Sequence, residues 1–386
     1  MLTGVRVVEL AIWVAGPGAG GVLSDWGAEV IKVEGPAGDP MRNLFGNLGI
    51  DQARVPPYEL DNRGKRCVML DLRTDEARTQ LHALLEDADV FLTNLRPDAL
   101  ERLGFDHVTV RATHPSLIYA SVTGYGLAGP DRDRAGYDIG AFWARSSIAH
   151  SMVPPGELPP ASRSGMGDHT TAIALVSGIC AALFDRTRTG AGRLVHTSLL
   201  RTGVYVNGWD LSIREYFGKI QSTKHRTEMG APIINSYMAA DGRGFWLLGL
   251  EQDRHWPTLL KALRRTEWAD EERFSSAGRR ASNARALIAL LDHEFATLPY
   301  ATWVERFDEC DVWFAPINSL ADALADEQVT AAGAWVQMPV DEAGGERPYR
   351  LAASPVGFSD WEERPGAVEA LGASTTEILG RAAKRP

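Results

Sequence analysis

Over the first two hundred residues, short runs rich in Val, Ile and Leu alternate with stretches of helical periodicity. Residues 5–9, 29–34, 67–71, 89–93 and 117–121 read as strands; 18–27, 74–87, 97–103 and 168–187 read as helices. Strands separated by helix-length segments cannot close as hairpins, so they run parallel, and a parallel sheet needs helices over both faces. The expected fold class is therefore α/β. After residue 205 the texture changes. The polar and aromatic segment 206–232 reads as a linker. It leads to a smaller α+β unit over 233–317, with strands near 233–239 and 244–249 joined by "ADGRG" and helices near 253–264, 284–297 and 300–309. A second linker is expected over 318–345, and residues 346–386 return to the large domain, ending in a helical pattern.

Bulk properties remove several function classes. The 386 residues carry 40 Lys and Arg against 50 Asp and Glu, a net charge of −10, which disfavours nucleic acid and anionic membrane surfaces as partners. Cys67, Cys180 and Cys310 are scattered, with no spacing suited to zinc, and fit free thiols in a reducing compartment. The N-terminus begins directly as a strand, and the apolar run 170–184 is short for a bilayer and reads as a core helix. A cytoplasmic protein without a metal site is the expectation.

The segment "VVELAIWVAGPGAGGVLSDWGAEVIKVE" raises a sharper question. Gly16, Gly18 and Gly21 have the G-x-G-x-x-G spacing between two strands, and Glu34 closes the second strand as an acid. Two details count against a dinucleotide. "AIWVA" separates the first strand from Gly16, and Pro17 removes an amide that the pyrophosphate would use. Small residues that let a helix pack closely, with Pro17 in its first turn, explain the pattern better.

Six ordered motifs give a more specific answer: "VVELAIWVAGPGAGGVLSDWGAEVIKVEGPAGD", "NRGKRCVMLDLRT", "ADVFLTNLRPDALERLG", "YASVTGYGLAGP", "AGYDIGA" and "GMGDHTTA". Together they resemble the family III CoA-transferases, the CaiB/BaiF family, which includes formyl-CoA transferase and α-methylacyl-CoA racemase. The resemblance implies a Rossmann-like large domain and two open-ring chains interlocked as a homodimer. Its substrates would be an acyl-CoA and a small carboxylic acid, with CoA as substrate and no prosthetic group.

Asp168, before an apolar helix, has the position of an N-cap. The flanking Gly165 and Gly167 would admit a ligand to the backbone, and the helix dipole would keep the carboxylate ionised. The resemblance makes Asp168 the nucleophile, which forms anhydride and aspartyl-CoA thioester intermediates, with backbone amides near the glycines stabilising each oxyanion. It also places Ala15, Leu70, Leu72, Arg73, Asn94, Arg96 and Arg102 against CoA, with the leucines flanking adenine. Arg63, Lys65 and Arg66 add local positive charge. Gly35 stands where formyl-CoA transferase has a CoA-contacting arginine, and Val14 replaces a glutamine. Oxalate and formate are therefore disfavoured, and a less polar acyl pocket is expected from Trp13, Val14, Ala15 and Trp143.

Two alternatives remain open from the residues. An α-methylacyl-CoA racemase needs a second acid/base group opposite Asp168, and its histidine would fall where this chain has Tyr137. His169 would point away from Asp168 along the helix and reads as structural. Glu251 matches a racemase glutamate loosely and reads here as a wall of the acyl or acceptor pocket. A CoA-binding protein without turnover is the third class.

Overall fold

The computed structural model describes residues 1–50, 54–339, 349–362 and 365–382. The chain divides into two compact units. One comprises residues 1–150, 159–220 and 330–386; the other comprises 151–158 and 221–329.

The larger unit is built on six strands: β1 (Arg6–Leu10), β2 (Glu29–Glu34), β3 (Arg66–Met69), β4 (Val90–Thr93), β5 (Ile118–Thr123) and β6 (Leu194–Ser198). All pair in parallel, in the order β3-β2-β1-β4-β5-β6. That is the order of a doubly wound sheet, with its topological switch between β1 and β4. Strand alternation sends Val7, Val30, Val90, Leu92 and Ala120 to one face. There they pack on helices α1 (Ala15–Asp25) and, further along the chain, Met166–Thr189. Val8, Ile31, Val68, Phe91 and Tyr119 take the other face. They meet α3 (Asp75–Leu85) and α4 (Pro97–Leu103), while α2 (Pro56–Asn62) packs on α1.

Strands β1 to β5 lie within two residues of their expected positions, because each carries a short run of buried apolar residues, interrupted in β1 and β2 by the buried Glu9 and Lys32. β6 was not expected. As an edge strand it is half-exposed and carries His196, so it lacks that signature. The helix expected at 168–187 is α5, Met166–Thr189, and runs beyond the apolar stretch at both ends. At 24 residues it is long and apolar enough to cross a membrane by length and composition, yet Ala172, Leu175, Val176 and Ile179 belong to the sheet core. Residues 206–217 are helical and part of the larger unit rather than a linker. Residues 340–345 of the second expected linker, with 346–348, 363–364 and 383–386 of the tail, lie outside the described residues.

The smaller unit holds an antiparallel sheet of β7 (Ser236–Met238), β8 (Gly244–Leu247) and β9 (Phe314–Pro316). Helices α6 (Gln252–Leu263), α7 (Ala284–Phe295) and α8 (Tyr300–Cys310) surround a core of Phe245, Leu259, Leu287, Phe295, Trp303 and Phe307.

The glycine pattern is explained by packing within the chain. A methyl at Gly20 would lie 1.9 Å from the Glu9 carboxylate, and one at Gly21 would lie 2.9 Å from the Asp61 carbonyl. One at Gly16 would strike Ala11 at 2.7 Å. α1 is glycine-rich because it runs hard against β1 and α2.

Candidate active site

In an open α/β sheet, ligands bind outside the carboxyl ends of the strands, at the switch point. Here that point is the loop between β1 and α1, residues 11–14. Asn94, which follows β4, ties it down: its Oδ1 accepts from the Ile12 N–H at 3.0 Å and its Nδ2 donates to the Ile12 carbonyl at 2.6 Å. Asn94 thus fastens the loop as well as standing at the expected CoA side. Trp13 takes φ = 65°, left-handed backbone rarely used by a bulky residue, and its N–H donates to Asp39 Oδ1 at 3.1 Å. Its ring meets Tyr137 edge-on, centroids 5.9 Å apart, and Tyr137 is 66% exposed. Ala15 is buried as the first residue of α1, and Val14 is half-buried. Trp143 does not line this surface. It is buried in the sheet core against Phe142.

Asp168 is the third residue of α5, not its N-cap. The cap is Gly165, at φ = +80° and without a capping side chain, which explains that glycine. Asp138 does the capping from another segment. Its Oδ2 accepts from the Gly167 N–H at 3.2 Å, and the amides of Gly165 and Asp168 act on the same carboxylate. A methyl at Gly167 would lie 2.3 Å from both Asp138 and Phe142, so this glycine serves internal packing rather than ligand approach. The Gly167 amide, expected to be an oxyanion donor, is already engaged by Asp138.

The electrostatics also differ from expectation. Burial, reinforced by the charge of Asp138 and then Asp61, pushes the Asp168 carboxyl up to about 7 against the opposing pull of His169. The helix dipole does not prevail. Burial raises Asp138 as well, although the α5 amides oppose it, and its Oδ1 is buried with no hydrogen-bond partner. His169 Nε2 lies 2.9 Å from Asp61 Oδ1. Burial works against its charge, but Asp61, Asp168 and Asp138 outweigh that and raise its pKa. The imidazole fits beside Gly18, where a methyl would come within 3.3 Å. His169 therefore faces an acid of α2 and acts electrostatically on Asp168. Sequence reasoning missed Asp138, which lies inside the motif "AGYDIGA", and Asp61, which precedes "NRGKR", because only the fold brings them to the start of α5.

The expected CoA contacts fall into two sets. Leu70 is buried and Leu72 half-buried on the α3 face of the sheet. Arg73 is paired with Asp71 at 2.7 Å and Arg102 with Asp98 at 2.7 Å, both largely exposed. Arg96 is exposed, with no ion pair among the described residues. The three cations of "NRGKR" are committed elsewhere: Arg63 to Asp25 at 2.6 Å, Lys65 to Glu9 at 2.7 Å, and Arg66 to Glu369 and Glu377. They provide no free positive charge for phosphates. Glu251 precedes α6 in the smaller unit and pairs with Arg254 at 3.0 Å.

Comparison with known proteins decides the class. The profile of CoA-transferase family III matches residues 2–371. The chain belongs to that family. This CoA-transferase is 32% identical over 389 aligned positions to the cinnamoyl-CoA:phenyllactate CoA-transferase of Clostridium sporogenes, covering 98% of this chain and 92% of the relative. It is 31% identical to the (R)-2-hydroxy-4-methylpentanoate CoA-transferase of Clostridioides difficile, covering 86% and 83%. A CaiB/BaiF family protein from Brucella suis superposes with a TM-score of 0.84 at 30% identity, over 99% of each chain. As a CoA-transferase it is an enzyme of a kind that takes CoA thioesters as substrates.

Proposed function

We propose that the protein moves CoA from an acyl-CoA to a free carboxylic acid by covalent catalysis on Asp168. The observation that carries this reading is a carboxyl at the start of α5 that titrates near neutral pH. It lies beside Asp138, whose neighbour Tyr137 meets Trp13 in an aromatic wall. A carboxylate raised to about 7 is still half ionised at neutral pH and is a stronger nucleophile than an ordinary one.

The ionised oxygen attacks the thioester carbonyl, and the carbon–sulfur bond breaks, giving a mixed anhydride and CoA thiolate. The thiolate attacks the aspartyl carbonyl and releases the donor carboxylate, leaving an aspartyl-CoA thioester. The acceptor carboxylate then attacks that thioester and expels the thiolate. Attack of the thiolate on the acyl carbon of the second anhydride gives the new acyl-CoA and frees Asp168. No proton is gained or lost overall.

Trp13 and Tyr137 present aromatic surface, and Val14 adds an aliphatic side chain near Gly165. Such a wall suits an apolar, aryl or branched, acid rather than formate or oxalate. The phenyllactate and 2-hydroxy-4-methylpentanoate enzymes among the relatives point the same way. We also read the working form as a homodimer, supported by the strongly exposed Tyr205, Trp209, Tyr216 and Phe217 on the helices over 199–217.

The test is incubation in D2O with cinnamoyl-CoA and a panel of free acids, and separately with a 2-methyl-branched acyl-CoA alone. Appearance of CoA on the added acid, lost in Asp168→Ala, supports the transferase. Deuterium at the α-carbon of a branched acyl-CoA without any acceptor would identify a racemase instead.

A further inference from the structure

Four buried charges lie directly beneath the 11–17 segment. Glu9 on β1 and Lys32 on β2 are register partners in the parallel pair, and Lys32 Nζ donates to Glu9 Oε1 at 3.1 Å. The same ammonium donates to Asp39 Oδ2 at 2.9 Å. Lys65 Nζ donates to Glu9 Oε2 at 2.7 Å. All four side chains are at most 2% exposed. Burying four ions carries a large desolvation cost, and an apolar cluster of like volume would hold a sheet as well. Their remaining hydrogen bonds show what else they do. Lys32 Nζ donates to the Ala11 carbonyl at 3.0 Å, Lys65 Nζ to the Pro17 carbonyl at 2.8 Å, and Asp39 Oδ1 accepts from the Trp13 N–H. With Asn94 on both polar groups of Ile12, five backbone groups between Ala11 and Pro17 are held by side chains.

We infer that the Glu9–Lys32–Asp39–Lys65 lattice, with Asn94, is a positioning device for acyl selectivity: it holds Trp13 in its left-handed conformation so that its ring forms the acyl wall with Tyr137. The inference rests on the transferase reading only for what the wall binds. A left-handed conformation at a bulky residue is strained and persists only where its surroundings over-determine it. Asp39 is the pivotal member, since it alone bonds both the Trp13 amide and a lattice lysine. Its own geometry is fixed by the Met41 N–H at 3.0 Å and by Glu34, which accepts from the Asp39 N–H at 2.7 Å and pairs with Arg42. The four charged residues touch the acyl loop and are not among the expected CoA contacts; of those contacts only Asn94 also bonds this loop. Loosening the lattice should therefore change which acyl groups are preferred more than it changes CoA binding.

The test uses the full-length protein and two unreactive probes, CoA and S-(3-phenylpropyl)-CoA, a thioether that cannot transfer. The quantity read is the ratio of their dissociation constants by calorimetry, alongside hydrogen exchange at Ile12 and Trp13. Asp39→Asn keeps the shape but gives Lys32 a neutral partner. The expected result is a roughly tenfold fall in the ratio, with faster exchange at both amides. Asn94→Ala, which releases Ile12 without touching a buried charge, should move both readouts in the same direction; both probes carry CoA, so any CoA contact of Asn94 cancels in the ratio, and the variant serves if Asp39→Asn does not fold. A ratio unchanged in the folded variants, or unaltered exchange at Ile12 and Trp13, overturns the inference. Because the thioether does not react, failure of CoA transfer in the unmodified protein would refute the transferase reading and leave this ratio fully readable.

Discussion

Two acid-rich pockets lie in the larger unit, and their charges are balanced differently. Beneath the 11–17 loop, Glu9 and Asp39 face Lys32 and Lys65, two against two. Around the start of α5, Asp61, Asp138 and Asp168 face His169, three against one. Lys32 is raised because Glu9 and Asp39 overcome its burial, whereas Asp168 is raised because nothing overcomes its own. Burial shifts a group in both pockets, Lys65 down to about 8 and Asp168 up to about 7, but only around α5 does a surplus of like charge add to it.

The sharpest way to break this contrast is Asp168→Asn. CoA transfer should fall on the order of a thousandfold or more, read by the rate of acyl exchange. The same change should strengthen the fold at pH 8. A carboxyl whose folded pKa lies above its unfolded value loses stability as pH rises between the two, here from about 4 to about 7. The amide does not ionise, so denaturation midpoints of variant and parent should converge near pH 4, separate as pH rises to 7 and stay apart above it. A variant less stable than its parent at pH 8 would contradict the surplus-charge account.

The balanced pocket should respond in the opposite sense. Lys32→Met leaves Glu9 and Asp39 buried with only Lys65, and the loss should be about 3–5 kcal/mol in urea unfolding. Adding Asp39→Asn to Lys32→Met should recover part of that loss, since the second change removes the stranded charge. No recovery would mean that the lattice does not act as a charge-balanced unit.

How much of this was legible before the fold was known depends on distance along the chain. β1 to β5, α4 and the glycine-rich α1 are local patterns, and each was readable as an apolar run, a Pro-started helix or a packing motif. β6 was not, because its sequence, Leu194 to Ser198, is half polar and half-exposed and shows no apolar run. The motif singles out Asp168, but its raised pKa was not legible: the helix dipole is local and visible in sequence, while Asp138 and Asp61 are brought in by folding. "NRGKR" misled for the same reason. A run of cations looks like a phosphate site until Asp25, Glu9, Glu369 and Glu377 are seen against it.

A milder test separates the groups that set Asp168. His169 lowers its pKa, whereas Asp138 and Asp61 raise it. In kcat/KM, which reports the free enzyme, the acid limb of the parent should lie near pH 7. His169→Gln should move that limb to higher pH, and Asp138→Asn should move it lower. An unmoved limb in both variants would show that Asp168 is governed by burial alone.

The smallest expected effects concern CoA phosphates. Arg73 and Arg102 are held by Asp71 and Asp98, so a phosphate must compete with a carboxylate already in place. Exposed ion pairs are weak, which makes that competition possible but its net gain small. Arg96 has no such competitor among the described residues and stands just before α4, after the strand that carries Asn94 to the switch point. Arg96→Ala should raise the KM for acyl-CoA roughly fivefold, while Arg73→Ala and Arg102→Ala should each raise it about twofold or less. Raising the salt concentration should shrink all three differences, because exposed charges are screened over roughly 10 Å at 0.1 M. If Arg96→Ala leaves KM unchanged and Arg102→Ala does not, the pairing seen with Asp98 gives way when CoA binds, and exposed ion pairs in this unit cannot be used to rank phosphate contacts.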